Sequence, residues 1–397
     1  MILTILIFLL LIVCIGMPLG YAWRVWHLDE PTLGDWLAKI AEAVIIVILV
    51  LIVGRWDIAG YYTRFALMGL VCIAVMRSVL RHAHRPWRSA DGRPLFRSHW
   101  RVVLSASLLG GVLAYILVGI LPKDDARPLA YPLEGGRFMV GQGGANPLLN
   151  HHFGHRSQRH AADITAVNAA GFRASGLLPD DLKRYVIFDA VVVSPCDGVV
   201  ISAENDLPDL TPPNADPGNP AGNHLIIACD GIEIELAHLR KGSVTVGAGD
   251  VVAARQHVAK VGNSGNTTEP HLHIHAIEPS SGEGVPMSFN GRAPIRNSMF
   301  RRDSDRQSLA GAPFPDWSWR HFLRRRVALA TSCAVRQCQA APQAVQPPLS
   351  PPRILWIAAE LPDPPPVGGD PEMTCREVAL SRIEPPLRGE LHERGDA

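Results

Sequence analysis

The sequence predicts about four membrane-spanning α-helices followed by one all-β domain, a compact sheet or sandwich. Three observations carry that reading. Uncharged apolar runs are confined to the first third of the chain. Short β-type runs punctuated by glycine fill roughly residues 131–300. Within them, Glu269-Pro270-His271-Leu272-His273-Ile274-His275 alternates imidazole with aliphatic side chains. In an extended strand that alternation sends the histidines to one face and Leu272 and Ile274 to the core.

The helices come first. Met1 to Trp23 contains no charged side chain, and Val102 to Pro122 is a second uncharged run; each is long enough to cross a bilayer. Ala43 to Gly54 is a solid aliphatic block that reaches spanning length by taking in Lys39 and Glu42. Phe65 to Met76 is similar, bounded by Arg64 and Arg77. The expected helices are about 2–21, 37–54, 61–80 and 102–121, with a linker over 123–135. The start lacks the basic region and the small-residue cleavage site of a signal peptide.

Orientation follows from one connector. Arg77, Arg81, Arg85, Arg88, Arg93, Arg97 and Arg101 lie between the third and fourth helices, which favours the cytoplasmic side for that loop. The fourth helix then carries everything after Lys123 outward. The expected location is the cytoplasmic (inner) membrane, multi-pass, with the β domain extracytoplasmic. A net charge of +1 argues against nucleic acid as a partner. Cys196 and Cys229 fall in the exported domain, where a disulfide is permitted.

In the β domain, strands are expected at Val191-Val192-Val193, Gly198-Val199-Val200-Ile201, His224-Leu225-Ile226-Ile227, Ile232-Glu233-Ile234-Glu235-Leu236, Val244-Thr245-Val246, Val258-Ala259-Lys260-Val261 and His271 to Ile277. Residues 203–222, rich in Asp, Pro and Asn, read as a long loop, and residues 169–183 as a second loop, suited to substrate selection or equally to a tolerated insertion. Three clusters carry chemistry. They are Asn150-His151-His152-Phe153-Gly154-His155 with Gln158-Arg159-His160-Ala161-Ala162-Asp163, then Ala237-His238-Leu239, then the His271–His275 strand. A catalytic zinc site needs three neutral or anionic ligands and an open position, with further groups to move a proton and stabilise an oxyanion. These clusters could supply all of them.

Gly247-x-Gly249-Asp250-x-Val252, Val261-Gly262-Asn263-Ser264-Gly265 and Pro270-His271-Leu272-His273 together resemble the signature of lysostaphin/LytM-type zinc metalloendopeptidases. Ser194-Pro195-Cys196-Asp197-Gly198-Val199-Val200, Ala237-His238-Leu239 and Val285-Pro286-Met287-Ser288-Phe289-Asn290-Gly291 add to the resemblance. It covers roughly residues 136–300. It implies a LytM-like antiparallel sheet with a groove, one Zn2+ per domain, and hydrolysis of peptide cross-links in bacterial peptidoglycan. It also implies Asp163 and His273 as metal ligands, and His271 and His238 as the pair beside the water, acting as base and as stabiliser.

The chain departs from that pattern at the first ligand. The family has His-x-x-x-Asp, but Arg159 stands four residues before Asp163. His160 stands three before, on the opposite face by strand alternation. The remaining ligand is therefore drawn from His152, then His151, then His160. His275 is either support for a ligand or a polar residue at the groove edge. The rival reading is a LytM-like domain without metal or catalysis that binds the wall or regulates other wall hydrolases. A lipoyl- or biotin-carrier barrel fits poorly, because Lys241 and Lys260 are not at hairpin tips. Residues 301–397 are Pro- and Arg-rich, a composition suited to disorder; a partner in the membrane or the wall machinery is left open.

Overall fold

The structure is a computed structural model and describes residues 2–88 and 100–302. Among them, four helices are long and apolar enough to cross a membrane: Ile5–Trp26, Leu33–Val53, Tyr61–His82 and Trp100–Ile120. Their ends differ from the expected ones for local reasons. The second begins at Leu33 because Thr32 caps it, its hydroxyl accepting from the Asp35 N–H at 3.1 Å. In the first, Pro18 has no N–H to give the Cys14 carbonyl, and the preceding turn Ile12–Gly16 opens to π geometry. Ile73, Leu80, Leu108 and Val118 are largely exposed, as a helix facing lipid requires.

The described residues of the β domain form thirteen strands. They are β1 (Arg127–Leu129), β2 (Gly136–Gln142), β3 (Ala162–Ala166), β4 (Val191–Val193), β5 (Gly198–Glu204), β6 (Asn223–Cys229) and β7 (Ile232–Leu239). The rest are β8 (Val251–Val252), β9 (His257–Lys260), β10 (Leu272–Glu278), β11 (Glu283–Gly284), β12 (Met287–Phe289) and β13 (Met299–Arg302). One antiparallel sheet runs β13-β2-β3-β10-β7-β6-β5-β8, with β11 on the end of β10. β4 pairs with β9, and β1 with β12 in parallel. Val192, Val258 and Phe289 from these pairs join Phe138, Ile164, Ile227, Ile234, Leu272 and Ile274 of the sheet in one core.

Several sequence expectations shift here. Residues 127–129, inside the expected linker, form β1 and belong to the domain. Val244-Thr245-Val246 is not a strand. Glycine turns close on it from both sides, and Thr245 makes its backbone bond to the Val258 carbonyl at 2.9 Å from within a loop. Cys196 and Cys229 are joined by a disulfide. Cys333, Cys338, Cys375 and the rest of the expected tail beyond Arg302 lie outside the described residues.

The helices and the sheet share a second core. Trp56, fully buried in the connector between the second and third helices, packs with Cys14, Val50 and Leu67 and with Met139 and Val167 of the β domain. Asn297 Nδ2 donates to the Ile52 and Gly54 carbonyls at 2.7 and 3.0 Å. Beside Trp56, Asp57 is buried. Burial pushes its carboxyl up, but Arg55, and then Arg173 and Arg296, outweigh this and hold it at about 2, below its ordinary 3.8. A carboxyl depressed in the folded state contributes stability above its unfolded value and loses it as pH falls. Asp57 should therefore contribute about 2 kcal/mol, present above about pH 4 and lost on approach to pH 2. Unfolding in detergent across this range should show that slope, and Asp57→Asn should flatten it.

Candidate metal centre

The site is assembled from β3, β7, β10 and the turn before β3. In the sheet register His273 lies directly opposite Asp163 on one side and Ala237 on the other. Facing residues of antiparallel strands share a face, so His273 Nδ1 meets Asp163 Oδ1 at 2.9 Å. Two residues on, His275 projects from the same face, and its Nδ1 lies 3.1 Å from His273 Nε2. His275 is thus buried against His273 rather than exposed at an edge.

His238 needs a distortion to join them. It follows Ala237, so strict alternation would send it to the far face. Between the Leu225–Leu236 and Asn223–Leu239 pairs, however, β7 holds one more residue than β6. His238 itself adopts a φ of 61°, a left-handed conformation rare for a residue with a side chain. The bulge returns its ring to the site face, 4.8 Å from the His271 ring and 5.9 Å from that of His273. The turn Gly262-Asn263-Ser264-Gly265 fixes it there. The Ser264 carbonyl lies 3.0 Å from His238 Nδ1, and the Ser264 hydroxyl donates to the Leu239 carbonyl at 2.7 Å.

Gly265 is required for that turn. Its φ is 86°, and a Cβ there would stand 2.4 Å from the Gly222 nitrogen. Gly265→Ala should destabilise the chain by about 1–3 kcal/mol and displace the His238 ring, which thermal unfolding and the imidazole NMR signals together would register.

His152 arrives from a short 3-10 helix, His151–Gly154. Asn150, fully buried, accepts from the His152 N–H at 3.1 Å and donates through Nδ2 to the Ala161 carbonyl at 3.0 Å. That Asx turn ties the helix to the start of β3. His152 Nε2 accordingly sits 3.0 and 3.1 Å from the two oxygens of Asp163. His151 Nε2 is farther, at 4.0 Å, on a side chain 60% exposed. His151, His152 and Asp163 nonetheless place one donor atom each within 4.8 Å of one another. His160 is not among the residues around Asp163; its electrostatic neighbours are Arg159, Lys123 and Asp125. Of the predicted site residues, the structure brings together His152, Asp163, His238, His271 and His273.

The electrostatics suit a cation. Burial raises the Asp163 carboxyl, but the imidazoles of His271, His152 and His273 outweigh it and hold the group well below the carboxylate range, so it is anionic. Burial, reinforced by His271 and His273, pushes His238 well below its ordinary value. It also pushes His151 to about 4 and His275 to about 3, leaving these rings neutral near pH 7. One carboxylate and two imidazoles with converging donor atoms form a donor set that fits zinc. His271 Nε2 stands 3.7 Å from Asp163 Oδ1, while its Nδ1 lies 2.9 Å from the Glu269 carbonyl. A cavity of about 140 Å3 opens beside this group, lined by His151, Asp163, His271, Arg55, Arg173 and Glu269 among others.

Residues 187–286 match the family model described as Peptidase family M23. This stretch of the chain is an M23 peptidase domain. The match contains His238, His271 and His273 and ends short of Asp163 and His152 on the N-terminal side. Solved structures similar to the chain include a zinc-containing peptidase from Vibrio cholerae, at 20% identity over 40% of this chain and 39% of that one, with a TM-score of 0.25. Lysostaphin is similar at 17% identity over 41% and 57%, with a TM-score of 0.24. The M23 metalloprotease pseudoalterin from the deep sea is similar at 14% over 44% and 98%, with a TM-score of 0.27. The chain therefore spans about two fifths of the Vibrio cholerae structure and just over half of lysostaphin. No curated protein matches it.

The sequence places Asn150 in the first cluster without a role of its own, although Asn-x-His before the 3-10 turn is the local signal for its Asx turn. It gives no role to Glu269, and Arg55, Asp57 and Arg173, which line the same cavity, have no local pattern.

Proposed function

We propose that this protein is a membrane-anchored zinc metalloendopeptidase that hydrolyses peptide cross-links of bacterial peptidoglycan on the outer side of the cytoplasmic membrane. One observation carries the proposal: Asp163 holds both His152 and His273 within 3.1 Å, and the His271 and His238 rings stand alongside. His152, Asp163 and His273 would hold the ion. When bound, it supplies Lewis acidity, which lowers the pKa of water and polarises a peptide carbonyl.

The protein's own residues do the rest. The Glu269 and Ser264 carbonyls each face an Nδ1, so in their neutral forms His271 and His238 carry the proton there and offer Nε2 as an acceptor. His271, opening on the cavity, takes the proton of the attacking water. His238, once it has gained one, donates to the oxyanion. The M23 match and the resemblance of Val261–Gly265 and Pro270–His273 to lysostaphin/LytM-type enzymes support peptidoglycan as the substrate class. The orientation is supported by the connector at 54–60. With the arginine-rich loop at the cytoplasmic end, this connector falls on the outer side, where the β domain meets it.

The test is digestion of purified peptidoglycan by the full-length protein in detergent, with products identified by mass. Cleaved cross-links that vanish with chelator and return with zinc are expected. A protein that binds the wall without cleaving it, with or without zinc, would instead be a regulator.

A further inference from the structure

The connector between the second and third spanning helices reaches into the M23 domain's site through a closed ring of charges. Arg55 Nε and Nη2 donate to the two oxygens of Asp57 at 2.8 and 2.6 Å, and Nη2 also reaches Glu269 Oε1 at 2.8 Å. Arg173, from the 169–183 loop, completes the ring. Its Nε donates to Glu269 Oε2 at 2.8 Å and lies 3.6 Å from Asp57 Oδ2, and its backbone N–H donates to the Asp57 carbonyl at 2.9 Å. The Asp57 and Arg173 side chains are 1% and 4% exposed.

Two guanidinium groups against two carboxylates leave the ring without net charge. Burying four such groups is a poor route to stability, since apolar residues of similar volume would serve as well. What paired guanidinium and carboxylate groups supply is direction: bidentate donors fix where a carboxylate lies. The carboxylate fixed here belongs to Glu269, two residues before His271. The main-chain carbonyl of Glu269 accepts from His271 Nδ1 at 2.9 Å and from the Thr267 hydroxyl at 2.8 Å, and Pro270 stiffens the one residue between. Side chain and carbonyl of one residue thus join the membrane-helix connector to the imidazole that takes the proton.

We infer that Arg55 is a positioning residue for the hydrolysis: through Glu269 it sets the His271 ring, so the membrane helices complete the active site of the exported domain. This rests on the peptidase reading given above. It also gives residues 169–183 a role, since their Arg173 clamps the same carboxylate from the other side.

The test uses the full chain in lipid nanodiscs, comparing wild type with Arg55→Gln, Arg55→Lys, Glu269→Gln and the double variant Arg55→Gln/Glu269→Gln. Four quantities are read: kcat and KM on a cross-linked peptidoglycan peptide, bound zinc, Tm, and backbone hydrogen exchange by mass spectrometry. Arg55→Gln should keep its zinc and its KM, lose roughly 10- to 100-fold in kcat, and exchange faster in the 266–272 peptide but not in the 225–236 peptide. Arg55→Lys should recover part of the loss. Adding Arg55→Gln to Glu269→Gln should cost little more, because the two act along one path.

A lower Tm with unchanged kcat and unchanged exchange at 266–272 would make the ring a brace between domains and overturn the inference. So would additive losses in the double variant, or a raised KM with kcat intact, which would place Arg55 on the substrate. If Arg55→Gln fails to fold, the isosteric Glu269→Gln carries the same expectations and the same overturning results. A wild-type protein that cleaves nothing condemns the peptidase reading, and the exchange comparison still decides whether Arg55 orders the 266–272 segment.

Discussion

His273→Ala should release the metal and abolish hydrolysis together, bringing turnover down to the level of the chelator-treated wild type. His273 is the residue on which the sheet converges, facing Asp163 across one ladder and Ala237 across the other. On the proposed ligand set, its removal leaves two donors where a zinc site needs three. The fall in affinity should exceed the ~10- to 100-fold typical of a group that only supports a ligand, and His275→Ala should show that smaller effect. The strand itself should persist, because Leu272 and Ile274 hold it in the core from the other face. Zinc measured after dialysis, beside turnover, checks the claim. The same pair of measurements decides the first ligand. His152→Ala should repeat the His273→Ala result, His151→Ala should leave most of the zinc in place, and His160→Ala should change neither. Zinc lost from His151→Ala but kept by His152→Ala would move the ligand by one residue.

Most of the scaffold and half of the site were legible in the sequence, and the remainder was hidden for physical reasons. Helices show in long apolar runs that carry few charges, and β10 shows because its period of two is strict. Both are local signals. His238 marks where a local rule fails: alternation assigns it to the wrong face, and only an extra residue in β7 with a φ of 61° corrects this. A glycine there would have announced the bulge; a histidine does not. His152 is a milder case. Its distance from β3 is closed by Asn150, whose amide bonds bridge 11 residues. The Arg55–Glu269 pair lies beyond any such reading, since its partners are 214 residues apart and are joined only once helices and sheet dock. Val244-Thr245-Val246 is the opposite failure. A β-branched triplet reads as a strand, yet three residues between glycine turns are too few to build a ladder.

The opposite combination, metal kept and turnover lost, should mark His271→Ala, with kcat reduced by roughly 10²- to 10⁴-fold. His271 sits beside the donor set, its Nε2 3.7 Å from Asp163 Oδ1 where His273 and His152 approach to 2.9 and 3.0 Å. On the proposed mechanism that gap leaves its nitrogen for the water. Its side chain is 20% exposed at the cavity, so a proton it takes can pass to the leaving amine or to solvent. His238 has the harder task. Burial and the neighbouring rings keep it neutral, and its Nδ1 proton is already directed at the Ser264 carbonyl, so it can donate from Nε2 only after gaining a proton within the site. The two histidines are therefore not interchangeable. On the proposed mechanism, His271→Ala removes the first proton acceptor and should suppress every turnover, whereas His238→Ala removes a donor whose effect is confined to the developing oxyanion and should cost less. Loss of zinc from His271→Ala would instead make it a ligand. A larger fall in kcat for His238→Ala than for His271→Ala would exchange their roles.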